Sequence, residues 1–360
     1  MTGWTQRRAD AGRSSAAAVL SALPPRPARV AAVRALLGPV DPSVRPLALG
    51  IRGITHRNFD RHVLPLVDRH WPALRGLPFL YKLRVGACDL YASAPYTALF
   101  CAPRQPLPVR VVTTVGDRLP LPAPVLALLG RAALEVLGRL AFPEQHRRIV
   151  RIASFIAVVD HVLDHCLDGT PDERGALLEA VIDGLRPPRS PELALVRALV
   201  VAMGERLEPG ERAAFAAAMG RLHDWIRAEV RAMKGEPDPE GLGHRRAGVE
   251  GGIDGLLFPV VRWAGEGARR WMYDVSMFMQ ILDDWFDAEL DAAVDRSTPV
   301  LEGRWTFADI ERGWRRTVEN LEALVRAAGT GSPRYVRFVR EVYALMLGEV
   351  IEAMARRPDL

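Results

Sequence analysis

Residues 280 to 291 read Gln280-Ile281-Leu282-Asp283-Asp284-Trp285-Phe286-Asp287-Ala288-Glu289-Leu290-Asp291. Asp283, Asp287 and Asp291 recur every fourth residue, so on a helix they form one strip, with Gln280 a turn earlier and Asp284 at its edge. Two carboxylates about 6 Å apart at an effective dielectric near 20 repel by about 3 kcal/mol, whereas a good helix-surface ion pair returns about 0.5 kcal/mol. Helix propensity alone does not favour such a strip. The approach to it, Tyr273, Val275, Met277, Phe278, Met279, Ile281 and Leu282, is apolar nearly all round. A helix of that kind is buried, and its aspartates then open into the protein rather than into bulk water. Buried clustered acids need cations, and hard oxygen ligands with room for water and phosphate suit magnesium. The plainer alternative is a solvated acidic face.

A second acidic pair lies upstream in Phe155-Ile-Ala-Val-Val-Asp160-His161-Val-Leu-Asp164-His165. Asp160 and Asp164 are again one turn apart, at the end of an apolar segment running from Ile149 to Val159. Two buried helices each ending in paired carboxylates predict a shared cavity between them.

Around these motifs the pattern is helical. Apolar residues at helical period predict helices over about 145–167, 172–185, 191–206, 209–234, 254–264, 267–293, 306–328 and 332–356. Thr170 before Pro171, with Asp172 and Glu173 next, is a helix-start signature. Pro187-Pro188, Pro237, Pro239 and glycines 241, 243, 248, 251 and 252 mark the breaks. The expected organisation is all-α: a disordered tail over 1–35, N-terminal helices and an extension over 36–140, and a catalytic helical core over 141–360. Val109 to Thr114 is expected to be briefly extended.

The chain has 360 residues, 49% hydrophobic and 25% charged, enough for a large core. Its formal charge of +5 is carried almost wholly by arginine, Lys82 and Lys234 being the only lysines. Beside so much alanine this reads as a genome composition bias. No basic run is interleaved with aromatics, so nucleic acid is not an expected partner. Cys88, Cys101 and Cys166 form no metal or disulfide spacing, which points to a reducing, cytoplasmic setting. The apolar part of the first thirty residues is too short and weak for a signal peptide, and no stretch approaches the roughly 18 apolar residues of a membrane span.

The stretch from Gln280 to Asp287 resembles the second aspartate-rich motif of the isoprenoid synthase superfamily, and Arg296-Ser297-Thr298-Pro299 is similar to the basic segment that follows it there. Read instead against the terpene cyclases of that superfamily, Asp283, Asp287 and Asp291 fall at the three magnesium positions. Asp160-His161-Val-Leu-Asp164 resembles the first motif with a histidine at its second place. The likeness runs over roughly residues 140 to 325.

The resemblance implies a single-domain helical bundle of the isoprenoid synthase type and a cluster of three Mg2+ ions. Asp160 and Asp164 would hold it from one side, and Asp283, Asp284, Asp287 and Asp291 from the other. It further implies a prenyl diphosphate substrate bound by Lys234, Arg245, Arg246, Arg296 and Gln280, and it is compatible with a homodimer. Phe155, Trp225, Phe278, Trp285 and Phe286 are candidate cavity liners, since aromatic faces stabilise a carbocation by about 0.5–2 kcal/mol each.

The paired arginine after the first motif and the Gly-Gly-Lys-Arg-like segment of chain-elongating relatives are missing, where this chain has Asp168-Gly-Thr-Pro-Asp-Glu-Arg174. That favours a one-substrate cyclase over a chain-coupling enzyme. Two rivals stand beside it: a zinc hydrolase built on His161 and His165, with Cys166 adjacent, and a helical protein without catalysis.

Overall fold

The computed structural model describes residues 17–102, 105–140, 143–236, 243–257, 261, 265–294, 296–329 and 332–355. Among these there is no strand, and the fold is all-α. The longer helices are α1 (Arg26–Leu37), α2 (Arg45–His62), α3 (Cys88–Leu99), α4 (Leu107–Arg118), α5 (Ala123–Leu140), α6 (Pro143–His161) and α7 (Pro171–Asp183), followed by α8 (Pro191–Gly204), α9 (Pro209–Met233), α10 (Gly243–Glu250), α11 (Glu266–Ala293), α12 (Phe307–Ala327) and α13 (Pro333–Ala355).

The boundaries follow local chemistry. At the start of α7 the Thr170 hydroxyl accepts from the Glu173 amide while the Glu173 carboxylate accepts from the Thr170 amide at 2.8 Å, a closed capping box. Its far end turns on Gly184 in the left-handed region (φ +77°), the conformation glycine adopts without strain. A second capping box, Thr306 with Asp309, opens α12. The glycine-rich stretch expected to be only a break is helical in α10, where Gly248 lets Trp225 of α9 come close: a Cβ there would stand 2.6 Å from the indole. Of the helix expected over 254–264, a π-helical turn Gly251–Leu257 is seen, and most of the remainder lies outside the described residues.

Two expectations for the N-terminal part need correction. Residues 1–16 lie outside the described residues, but the rest of the segment 1–35 is not a loose tail: 17–22 and α1 are helical, with Val30 and Val33 in the core. Pro25 caps α1 and Pro27 stands in its first turn, where a missing amide hydrogen costs nothing. The segment 109–114 is not extended either. It belongs to α4, which buries Val109, Val112, Thr113 and Gly116 at helical period, and its β-branched content yields to that burial.

One apolar core runs from Val30 of α1 to Ile351 of α13. Trp271 of α11 anchors it. Its indole N–H donates to the Thr317 carbonyl oxygen at 3.0 Å, and its ring meets Tyr343 edge-on at 5.0 Å. Helix α3 runs antiparallel to α6, Cys88 lying beside Ser154 and Tyr96 beside His146. The segment just before α3 therefore reaches the C-terminal end of α6, where the first aspartates stand.

Candidate active site

Asp160 closes α6, and Asp164 follows on a π-helical turn, Val162–Cys166. Such turns re-aim side chains and recur at functional positions. On α11, Asp283 and Asp287 stand on one face, and Asp291 follows a turn later. The two sets converge. Asp160 keeps water-accessible surface yet is enclosed deeply enough that burial raises its pKa; repulsion from Asp164, Glu229 and Asp283 adds to this, and Arg296 opposes it. A carboxylate both wetted and enclosed lines a recess, and Asp283 of the second helix is near enough to repel it.

Asp291 responds to the same crowding. Burial pushes its carboxyl up to about 8, against the pull of Arg296 and with repulsion from Asp284, Asp283 and Asp287. Asp284 is buried, 3% exposed, whereas Asp283 is exposed to the recess. Down α11 from Asp283, the half-buried Gln280, Ser276 and Tyr273 continue the same face at helical spacing. On α6, Ile156 and Ala157 are likewise half-buried below Asp160.

Arg296 binds the two sides together. Its guanidinium donates to Asp164 at 2.7 Å and also to Glu229 of α9, a carboxylate only 1% exposed. The backbone at this point is fixed by two hydrogen bonds. The Arg296 amide donates to the Asp291 carbonyl oxygen at 2.8 Å, and the Ser297 amide donates to Ala232 at 3.1 Å. Burial disfavours the arginine's charge, but Glu229, Asp164 and Asp160 outweigh it and hold the cation firmly protonated. The other oxygen of Asp164, Oδ1, is buried with no hydrogen-bond partner.

Glu229 carries no spacing signature. It does continue the inward stripe of Leu222 and Ile226, which was the available sign of a buried acid. Two arginines of α1 also reach the acidic helix. Arg26 stands 3.7 Å from Asp287; Arg29, itself buried, donates to Glu289 at 2.7 Å and to the Phe286 carbonyl oxygen at 3.3 Å.

The other expected diphosphate-binding residues are placed variously. Gln280 lies on the recess face. Lys234 is turned to Asp172 (3.3 Å) and Glu236 (3.1 Å), and Arg246 is exposed beside Glu250 at 3.7 Å. The Arg245 side chain lies outside the described residues. Among the expected aromatic liners, Phe155 and Phe278 are in the core, 0% and 1% exposed, as is Phe286. Phe155 and Phe278 each precede a recess aspartate by five residues, a rotation that leaves the side chain roughly 140° away from it. Trp285 tilts against Phe307 at 6.2 Å, and Trp225 is half-buried on Gly248. The half-covered Ile156, Ala157 and Tyr273 lie on the helix faces that carry Asp160 and Asp283.

His161 is taken up by ring stacking. Its ring lies flat on Phe79 (3.7 Å between centroids, 12°) and is stacked with Trp71. Burial, then His165 and Lys82, lower its pKa to about 4, so it is neutral at pH 7. Among the described residues no three His, Cys, Asp or Glu side chains stand close enough to hold a metal ion unaided.

The raised pKa values set a pH dependence. A carboxyl that holds its proton to about 8 when folded, against 3.8 when free, makes the folded state progressively less stable as pH rises between those values. The cation-free protein is therefore expected to lose melting temperature between about pH 5 and pH 8.5, and Asp291→Asn to flatten that slope. Melting curves across that range check this, and superimposable parental and Asn profiles would show that Asp291 is not so placed. No protein-family model, curated protein or solved structure matches the chain.

Proposed function

We propose that this chain is a class I terpene synthase, which ionises an allylic prenyl diphosphate and lets the resulting carbocation cyclise or be quenched. The observation that carries the reading is the convergence of Asp160 and Asp283, from two different helices, on one enclosed and wetted recess. The donor set fits a hard divalent cation. It consists of carboxylates alone, crowded enough to hold protons near neutral pH, with one Asp164 oxygen left without a hydrogen bond. Asp160 and Asp164 would hold magnesium from one side, and Asp283, Asp287 and Asp291 from the other. Magnesium takes few protein ligands and leaves positions for phosphate oxygens, so the absence of a ready three-residue cage is consistent with a site completed by substrate.

Bound there, the cation supplies Lewis-acid polarisation of the diphosphate. Arg296 contributes a planar fork matched to phosphate oxygens, already oriented by Asp164 and Glu229. The allylic carbon–oxygen bond breaks, its electron pair leaves with the diphosphate, and the cation is resolved by loss of a proton or capture of water. The apolar wall of Ile156, Ala157 and Tyr273 keeps water from the cation until then.

A zinc hydrolase finds less support, because His161 is committed to the Phe79 stack and no third ligand joins it and His165 among the described residues. Incubating the protein with ten-, fifteen- and twenty-carbon prenyl diphosphates and magnesium, followed by mass spectrometry, tests the proposal. The expected result is a hydrocarbon or alcohol from one chain length, unchanged by added isopentenyl diphosphate. A longer prenyl diphosphate as product would mean chain coupling, and no diphosphate release from any of them would remove the reading.

A further inference from the structure

Helices α4 and α5 pack side by side, and each buries one face, through Val109, Val112 and Gly116 on α4 and Leu126, Leu134 and Leu137 on α5. The opposite faces should be polar in a protein that meets only water. They are not. Leu107 (63% exposed) and Val111 project from α4, and Val125, Leu128 (57%), Leu129 and Val136 follow on α5 at positions i, i+3, i+4 and i+11. Leu119 between the helices extends the patch. Exposed apolar side chains gathered on two helices packed side by side mark an interaction site.

The charges on the same stretch are one-sided. Arg110, Arg118 and Arg131 are exposed, whereas Glu135 is half-buried and engaged by Arg57 at 3.1 Å, and Asp117 accepts from the Ser332 amide at 2.8 Å. Among the described residues from 107 to 137 no acid is exposed. An isologous dimer through this face would bring the arginines of two copies together with no exposed acid from residues 107 to 137 to answer them. A bilayer with anionic headgroups answers both features, taking the leucines and valines into the acyl boundary and pairing the arginines with phosphate. Among the described residues no helix is long and apolar enough to cross a membrane, so the contact proposed for this face is in the plane of the surface.

We propose that the α4–α5 face docks this protein onto anionic lipid bilayers as a peripheral membrane protein. The inference does not depend on the chemistry assigned to the aspartate recess. The test is sedimentation of the full chain with phosphatidylcholine vesicles, with and without phosphatidylglycerol. Binding is expected only to the anionic vesicles and to weaken with salt. Val111→Gln with Leu128→Gln should abolish it, and each Arg→Gln at 110, 118 or 131 should weaken it about fivefold. Circular dichroism verifies that the variants, all at exposed positions, remain folded. No binding to anionic vesicles, or binding that the variants leave unchanged, overturns the proposal. So does a protein that is dimeric without lipid and becomes monomeric on the Val111/Leu128 change, since the face would then be a self-interface.

Discussion

Asp283→Ala should lower the rate of diphosphate release by about a thousandfold, the equivalent of roughly 4 kcal/mol of lost charge stabilisation in the transition state. The same variant should fold at least as well as the parent when no cation is present. Asp283 adds to the repulsion felt by both Asp160 and Asp291, so its removal relieves two carboxyls at once. That combination separates a functional acid from a structural one. A structural carboxylate gives up stability when it is deleted, whereas this one gives up turnover and leaves the melting temperature level or higher. Rates of diphosphate release and thermal melts on the two proteins suffice. A parental rate in Asp283→Ala would mean that the strip on α11 plays no part in the reaction.

Glu229→Ala should have the opposite signature. Glu229 is almost fully buried and pairs with Arg296, itself enclosed. Deleting one partner of a buried pair leaves the other charge desolvated and uncompensated, typically at a cost of about 3–5 kcal/mol, or roughly 4 to 7 °C in melting midpoint for a chain of this size. Asp164 still holds the other side of the guanidinium, which tempers the loss. Glu229→Gln keeps a hydrogen-bond acceptor in place and should be milder. A melting midpoint for Glu229→Ala within a degree or so of the parent would show that Arg296 is not held between α9 and the π-helical turn.

The helical half of the chain was legible because each helix carries its own punctuation. Pro171, Pro191, Pro209 and Pro333 stand at helix starts, and the periodic apolar stripes between breaks located α6 to α9 and α11 to α13 within a few residues. The earlier segments were harder for identifiable reasons. The Pro24-Pro25 pair marks disorder and helix starts alike, and only packing of Val30 and Val33 decides between them. The valines of α4 satisfy strand propensity as well as helical period, and burial of one face is what selects the helix.

At the site, the acids that repeat at four-residue spacing announced themselves, because a repulsive ladder on a buried helix needs a reason. Their partners did not. Arg296 stood out only by analogy, and Glu229, Arg26 and Arg29 come from helices distant in sequence, so nothing local pairs them with Asp164, Asp287 or Glu289. Aromatic liners were misplaced for a related reason. Composition selects Phe155 and Phe278, but helical phase turns both rings into the core and leaves Ile156, Ala157 and Tyr273 on the faces that carry Asp160 and Asp283. The histidine at the second place of the upstream motif proved to be spent on the Phe79 stack.

On the function proposed above, acids from α6 and α11 act together on one phosphorylated ligand. Calorimetric titration of inorganic diphosphate into the parental protein, with and without magnesium, and into Asp160→Asn and Asp283→Asn tests it most directly. Saturable binding only when magnesium is present, lost in both variants, is the predicted result. Diphosphate binding that needs no magnesium, or that survives in either variant, would contradict the claim.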